Sequence, residues 1–527
     1  MAPAPARPTS AALGTVLAVL FLTFLDTTIV SVTLGSLETD IGAGVIPLQW
    51  VINAYALAFA SLMLLGGSLG DRFGRRRLML AGIVAFAVGS LLCALASGVA
   101  LVIAGRAVMG IGAAASEPGT LSVIRQLYPE RGPRARALGA WSAVSGLALA
   151  LGPVIGGVIV GVSDWRWVFW FNLVAALGVL AAVLAFVPES RDPQPGRLDL
   201  AGAALGAAGL GFVIYAAISG EYQGFGTWWI VALFALGGLC LVAFVPVETR
   251  ARSPLLDLRY VRRPIVSSAL FSAFAVYFGV FAIFFFTALY LDIGQHYSGL
   301  RLAEMFAPMA AAIVVGGVAT GRWVARAGTR APTVTGCVIA ALGMLLARVE
   351  LGHGNSLTFA LLALALALAG VGFGMTVVPL TSAVLTHIPA RHSGMAASAT
   401  NTARQLGAVV GVAALGAIIN SHLTRAVSEF FTGPLLGGAK DSVLKALETG
   451  GSSDGLDLSN IPDAFVRAFL DGLQLALAVA IVLIVLAGVA AALVKEPAPE
   501  PDSDQLTSTG STSAGSAPPS TESTGSA

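Results

Sequence analysis

Between two apolar runs the chain reads Gly67-Ser68-Leu69-Gly70-Asp71-Arg72-Phe73-Gly74-Arg75-Arg76-Arg77. Much later it reads Gly321-Arg322-Trp323-Val324-Ala325-Arg326-Ala327-Gly328-Thr329-Arg330, again after an apolar run. Gly67, Arg72, Gly74 and Arg76 recur as Gly321, Arg326, Gly328 and Arg330, each 254 positions on. A second echo sets Gly110-Ile111-Gly112, ahead of Pro118, beside Gly370-Val371-Gly372, ahead of Pro379. Chance similarity between Gly-rich apolar stretches is one reading. Two related halves of one chain is the other, and the constant offset favours it.

Composition says where such a chain can live. Of 527 residues 56% are hydrophobic and 11% charged, against about 25% charged in a soluble domain. A chain this apolar needs lipid as its solvent. The net charge of +2 points to no nucleic acid or acidic partner. Cys93, Cys240 and Cys337 lie inside apolar stretches without metal-ligand spacing and read as small core residues. The first apolar run, after Arg7, could open a signal peptide. It continues to about Leu37 and many similar runs follow, which favours a retained first helix.

A helix needs about 20 apolar residues to cross a bilayer core. Fourteen stretches qualify, with cores near 11–36, 48–70, 78–97, 99–122, 137–160, 168–187, 199–219, 228–247, 265–291, 303–325, 333–351, 357–380, 394–420 and 468–494. Every backbone amide in lipid must be paired, so these runs are read as helices and the fold as all-α. With the N-terminus cytoplasmic, the clusters Arg72–Arg77, Arg125–Arg136, Arg250–Arg263 and Arg322–Arg330 all fall inside, and the opposite side holds scattered residues such as Arg166, Arg301 and Arg348. That bias sets both termini in the cytoplasm and the chain in the inner membrane. The expected organisation is a cytoplasmic start (1–10), a six-helix bundle (11–190), two additional central helices (191–250) and a second six-helix bundle (251–495). A long outer loop over 421–466 carries short amphipathic stretches around Leu423–Phe431 and Ser442–Leu447, and 496–527 reads as a disordered tail.

Ionisable groups inside spans are expensive and become functional candidates. Asp26 lies about midway along the first span. It is read as a proton carrier or as a structural acid bonded to neighbouring helices. Arg106, in the fourth span, stays charged and can bias a carboxylate. Glu117 follows 11 residues later, about 20° from eclipsed, so Arg106, Gly110, Ala113 or Ala114, and Glu117 share one stripe. The small residues between suggest a groove on the central cavity. Glu117 is equally readable as an acid reaching interfacial water. Glu304 stands three residues after Arg301, a spacing that suits a surface ion pair, with a cavity role as the alternative. Asn401 and Arg404 share a face toward the cavity, or Arg404 snorkels to the interface. Tyr55 and Trp141 are candidate substrate contacts, among aromatics that include Tyr277 and Phe281. Gly152, Pro153 and Gly156 combine a helix bend with a small-residue stripe for close packing.

Taken together these stretches resemble the fourteen-helix drug/proton antiporter branch of the major facilitator superfamily. The resemblance spans about residues 11–495 and rests on Leu25-Asp26-Thr27-Thr28-Ile29-Val30, Gly67 to Arg77, Arg106 to Gly112, Gly146 with Gly152-Pro153-Val154-Ile155-Gly156-Gly157, Trp165 to Asn172, and Asn401 to Gly407. It implies a major facilitator fold, two pseudo-symmetric six-helix bundles plus two extra central helices. It also implies a latch at Asp71 with Arg72, Gly74, Arg75 and Arg76, and a proton-tight seal at Gly152, Pro153, Gly156 and Gly157. The chain departs from the branch with Ser31 and Gly35 in the first-helix signature, Ala325 in place of a second Asp, and the acids Glu117 and Glu304.

The implied activity is proton-coupled efflux of small lipophilic molecules, some of them cationic, by rocking of two halves around a midplane site. The proton-coupling set is Asp26, Arg106, Glu117 and Glu304. The substrate set is Asp26, Tyr55, Glu117, Trp141, Asn401 and Arg404. A dedicated exporter of one metabolite, or an uptake carrier, shares the same fold. No GxxxxGK[ST] loop is present to bind nucleotide, and no nucleophile–base pair or metal cluster suggests an enzyme. The expected partners are substrate, protons and lipid, with no cofactor and a monomeric chain.

Overall fold

Runs of apolar residues in lipid fold as helices because no water is there to pair their amides, and the computed structural model follows that rule. It describes residues 9–43, 45–191, 199–251, 254–293, 299–351, 356–430 and 463–494. Regular structure among them is helical throughout, and fourteen helices are long and apolar enough to span a bilayer. These are α1 (Thr9–Ile29), α2 (Val45–Phe73), α3 (Arg75–Ala94), α4 (Val99–Leu127), α5 (Arg131–Val162), α6 (Arg166–Phe186), α7 (Leu200–Gln223), α8 (Trp228–Arg250), α9 (Pro264–Ile293), α10 (Gly299–Ala327), α11 (Arg330–Glu350), α12 (Ser356–His387), α13 (Ser393–Phe430) and α14 (Asp463–Leu493). Beyond Ile29, α1 tightens into a 3-10 turn over Val30–Thr33 and resumes as a short helix, Leu34–Ile41.

Packing repeats with the sequence. In the first six helices α1 lies on α5, α2 on α4, and α3 on both α4 and α6. Eight helices later α9 lies on α13, α10 on α12, and α11 on both α12 and α14. The two bundles meet through α2 against α13 and through α5 against α10, a pair of seams that the same relation exchanges. The repeated glycines do equivalent work in each half. A Cβ on Gly67 would stand 2.3 Å from Gly394 O across one seam, and on Gly321 2.7 Å from Ala135 O across the other. A Cβ on Gly110 would stand 2.5 Å from Tyr55 O, and one on Gly370 2.5 Å from Met309 O. Gly74 (φ 109°) and Gly328 (φ 77°) both take a positive φ, which a side chain would strain.

The remaining two helices form their own hairpin. Asp199 caps α7 by accepting from Gly202 N at 2.7 Å, and Gly224 ends it. Leu210, Ile214 and Ile218 of α7 pack on Ala60 of α2 and on Leu406 and Val409 of α13, with α8 behind them. Outward faces carry Val231, Leu239 and Val242 of α8 and Val482 and Leu486 of α14, all exposed. Such faces suit lipid and would not suit water.

One expectation needs correcting. The outer loop does not begin at 421, because α13 runs on to Phe430 and α14 starts at Asp463. Leu423 is buried in the core, and the side chains of Ser421 (Oγ) and His422 (Nδ1) bond back to Ile418 O at 2.7 and 3.0 Å, holding polar groups on a helix that continues past the apolar run. At the other side Phe465 and Phe469 are buried and start α14 early. The stretch at Ser442–Leu447 and the tail from 496 lie outside the described residues.

Candidate functional site

Two buried polar clusters sit on α4, and a third group of contacts gathers at the end of the molecule that carries Arg72–Arg77, here called the arginine-rich end. The first cluster belongs to one bundle. Asp26 of α1 is fully buried, and both its carboxylate oxygens are occupied. Arg106 Nη1 of α4 donates to Oδ2 at 2.5 Å, and Asn172 Nδ2 of α6 donates to Oδ1 at 2.7 Å. Arg106 Nε donates to Val51 O of α2 at 2.8 Å, and its guanidinium lies 4.4 Å from the centre of the Tyr55 ring. Tyr55 is itself tied down, its hydroxyl donating to Thr23 O at 3.1 Å. Removing one partner of a buried pair like this costs about 3–5 kcal/mol, because the other charge is left alone.

The second cluster bridges the bundles. Asn401 Nδ2 of α13 donates to Glu117 Oε1 of α4 at 3.0 Å, and Arg404 Nη1 donates to Asn401 Oδ1 at 3.0 Å. Arg404 Nη2 donates to Thr381 Oγ1 and to Val377 O (3.3 Å) of α12. Its guanidinium stands over Trp141 of α5 (5.2 Å) and Tyr277 of α9 (5.6 Å). Trp141 Nε1 donates to Thr120 Oγ1 at 3.1 Å, and its ring meets Phe24 edge-on. Glu117 Oε2 and Arg404 Nε are buried and make no hydrogen bond. Arg404 is 3% exposed, so it does not snorkel.

At the arginine-rich end Asp71 accepts from Arg75 Nη2 at 2.7 Å and Nε at 3.0 Å. It also accepts from the amides of Gly394 (2.9 Å) and Met395 (3.1 Å), the first turn of α13. A carboxylate there meets unpaired amides and the positive end of the helix dipole. The opposite arrangement lies beside it: Arg125 Nη2 donates to Ile388 O at 2.7 Å, just past the end of α12, and Arg134 Nη2 to Thr386 Oγ1 at 3.1 Å. Arg76 is turned inward within its own bundle, donating to Val183 O (3.3 Å) and Leu184 O (2.6 Å). Arg72 lies against the Phe73 ring. The two bundles are clasped shut at this end.

Gly152 and Gly156 of α5 face α1. A Cβ on Gly152 would fall 1.9 Å from Thr28 Oγ1, and on Gly156 2.5 Å from Val32 Cγ2. Thr28 Oγ1 donates across that contact to Leu149 O at 3.1 Å. A Cβ on Gly157 would meet nothing within 4 Å, so it takes no part in that contact. The helix passes through Pro153 without a break.

Several expectations change. The small residues between Arg106 and Glu117 do not line a groove: a Cβ on Gly66 would sit 2.1 Å from Ala114 O, so α2 fills that stripe. Glu304 is exposed and joins neither buried cluster, and Arg301 lies 5.6 Å from the Phe359 ring. Tyr55 serves Arg106 instead of standing free for a ligand. Asn172, which ends the Trp165–Asn172 stretch, is a site residue that the motif alone does not single out. Its signal was available, since it is an amide side chain in an otherwise apolar run.

The Major Facilitator Superfamily model matches residues 16–412. The chain is 30% identical over 418 residues to the multidrug resistance protein Stp of Mycobacterium tuberculosis, covering 78% of this chain and 77% of that one. It is 34% identical over 421 residues to the puromycin resistance protein pur8 of Streptomyces alboniger, covering 80% and 83%. The crystal structure of the human organic anion transporter MFSD10 superposes with a TM-score of 0.64 at 16% identity, covering 92% of this chain and 99% of that one. With two six-helix bundles related by an internal repeat, and with this match over most of its length, the chain belongs to the Major Facilitator Superfamily.

Proposed function

We propose that this protein exports small lipophilic molecules, including drugs or natural products, in exchange for protons moving inward. The observation that carries the reading is Asp26, a fully buried carboxylate in a membrane span, held between Arg106 and Asn172. An acid placed there is costly even when paired, and such residues mark functional positions in membrane spans. The names of the relatives, which concern resistance to drugs and antibiotics, support export over uptake. The positive-inside rule places the arginine-rich end and both termini in the cytoplasm and the chain in the cell membrane. The clasp of Asp71, Arg75, Arg125 and Arg134 against α12 and α13 then belongs to the conformer closed toward the cytoplasm.

In this reading Asp26 takes a proton from outside and Arg106 tunes its release. The clasp opens, substrate enters from the inner side, and the halves rock back. Trp141, Asn401, Arg404 and Glu117 lie between the halves and meet the substrate, whereas Tyr55 is placed with the proton site because it supports Arg106. Glu304 has no part in the cycle. Gly152 and Gly156 keep α5 tight on α1 beside Asp26 and limit proton leak. Each charge moved inward gains about 2.3 kcal/mol per 100 mV. The cycle needs no cofactor, no catalytic step and no second chain.

The test is transport in liposomes under an imposed pH gradient, with ethidium as the probe. The wild type should move ethidium against its gradient and Asp26→Asn should lose that coupling. Full pH-driven transport by Asp26→Asn would dismiss Asp26 as the exchange site.

A further inference from the structure

Asp26 and Glu117 are both buried acids of the first bundle, yet they are held in opposite ways. Asp26 has a donor on each oxygen, and both donors, Arg106 and Asn172, ride on its own bundle. Rocking of the halves carries that trio as one body. Glu117 is 1% exposed and among the described residues has a single donor to its carboxylate, Asn401 Nδ2, which rides on the other bundle.

Among the described residues the charged and titratable groups that face Glu117 are few. From α13 comes Arg404, which reaches it through Asn401 Oδ1. From α9 comes Tyr277 and from α2 Tyr55, while α5 offers the uncharged Trp141. Arg404 takes its other bonds from Thr381 and Val377 of α12, so it too leaves with the second bundle.

Glu117 Oε2 is buried without a donor. In a dry site an orphan charged oxygen costs more than an orphan hydroxyl, so the clasped geometry suits a neutral acid. When the arginine-rich end opens, Asn401 and Arg404 withdraw and water can reach both oxygens. Hydration then favours the carboxylate.

We propose that Glu117 is a second proton-exchange site governed by contact between the bundles: it holds a proton on Oε2 while the arginine-rich end is clasped and gives it to entering water when that end opens. The inference rests on the exporter reading for the use made of the proton, and it raises the number of protons moved per cycle above that of Asp26 alone. Glu117 also reports which conformer the molecule is in, a task Asp26 cannot do with partners that never leave it.

The experiment needs no substrate. Cys93, Cys240 and Cys337 are replaced, and nitroxide labels are placed at exposed Glu130 of the first bundle and exposed Arg262 of the second. Pulsed electron resonance gives the opened fraction against pH in full-length protein in nanodiscs. A linked proton changes an equilibrium by up to about tenfold per pH unit, so opening should rise with pH. Glu117→Gln should lower that slope by about one proton, and Glu117→Asp should restore it. In infrared spectra of the clasped protein a band of a buried neutral carboxyl should survive in Asp26→Asn and vanish from that variant when Glu117→Gln is added. A wild-type slope in Glu117→Gln, or an unchanged carboxyl band, overturns the proposal. The ethidium assay on wild-type liposomes is read separately. Gradient-driven export with an unchanged slope in Glu117→Gln sinks this inference alone, and gradient-independent movement of ethidium sinks the exporter reading alone.

Discussion

The carboxylate of Asp71 lies 2.9 Å from the amide of Gly394, so an acid of one bundle caps the first turn of a helix in the other. A bond from a charged group contributes about 1.5–3 kcal/mol. Asp71→Asn keeps the shape and removes the charge, and about 1.4 kcal/mol is a factor of ten in an equilibrium. The clasped fraction relative to the opened one should fall by about tenfold or more, read from the Glu130–Arg262 label distance. No change in that distance distribution would mean the cap does not hold the conformer.

The two seams offer a matched pair of steric tests. Gly67→Ala and Gly321→Ala each press a methyl group onto a carbonyl of the opposite bundle, at 2.3 and 2.7 Å. Overpacking of this kind costs about 1–3 kcal/mol, and here only in the clasped state. Both variants should shift the label distances toward opening, Gly67→Ala more than Gly321→Ala.

On α5 the test carries its own control. Gly152→Ala would place a methyl on Thr28 Oγ1, whereas Gly157→Ala meets open space. The first should lower the melting temperature in detergent and raise passive proton entry into liposomes. The second should stay within about 0.5 kcal/mol of the wild type. Equal proton leak in both variants would remove the α1–α5 contact as a seal.

Arg106 is attached to Asp26, to Val51 O and to the face of Tyr55, with Met109 Sδ as a fourth, weaker acceptor at 3.9 Å. Arg106→Leu strands the Asp26 charge and should cost about 3–5 kcal/mol. Asp26→Asn leaves an acceptor for Arg106 and should cost less. The order of the two melting temperatures checks this, and Arg106→Lys should fall between them, since an ammonium cannot fork between Asp26 and Val51.

Much of the architecture could be read from the chain because lipid removes alternatives. Long apolar runs have one backbone solution, and the recurrence of Gly67, Arg72, Gly74 and Arg76 at Gly321, Arg326, Gly328 and Arg330 reappears as two seams and two positive-φ glycines. The positions of the buried charges were legible for the same reason. Their partners were not. That Asp26 meets Asn172, or that Glu117 meets Asn401, depends on which helix crosses which, and periodicity along one helix does not carry that. The stripe between Arg106 and Glu117 misled because small residues suit a groove and close packing equally, and the choice lies with Gly66 on another helix. The end of α13 is not marked by hydropathy, which fades at Ser421 while the helix runs on to Phe430 with Ser421 and His422 bonding their side chains back to Ile418 O.

The α7–α8 hairpin rests on α2 and α13, which form only one of the two seams between the bundles. Its presence therefore breaks the molecule's internal two-fold equivalence. One flank is sheathed by a pair of helices, while the related flank, where α5 meets α10, has no such jacket among the described residues. A solute approaching sideways through the membrane thus meets a handed object, with a shielded flank and a bare one.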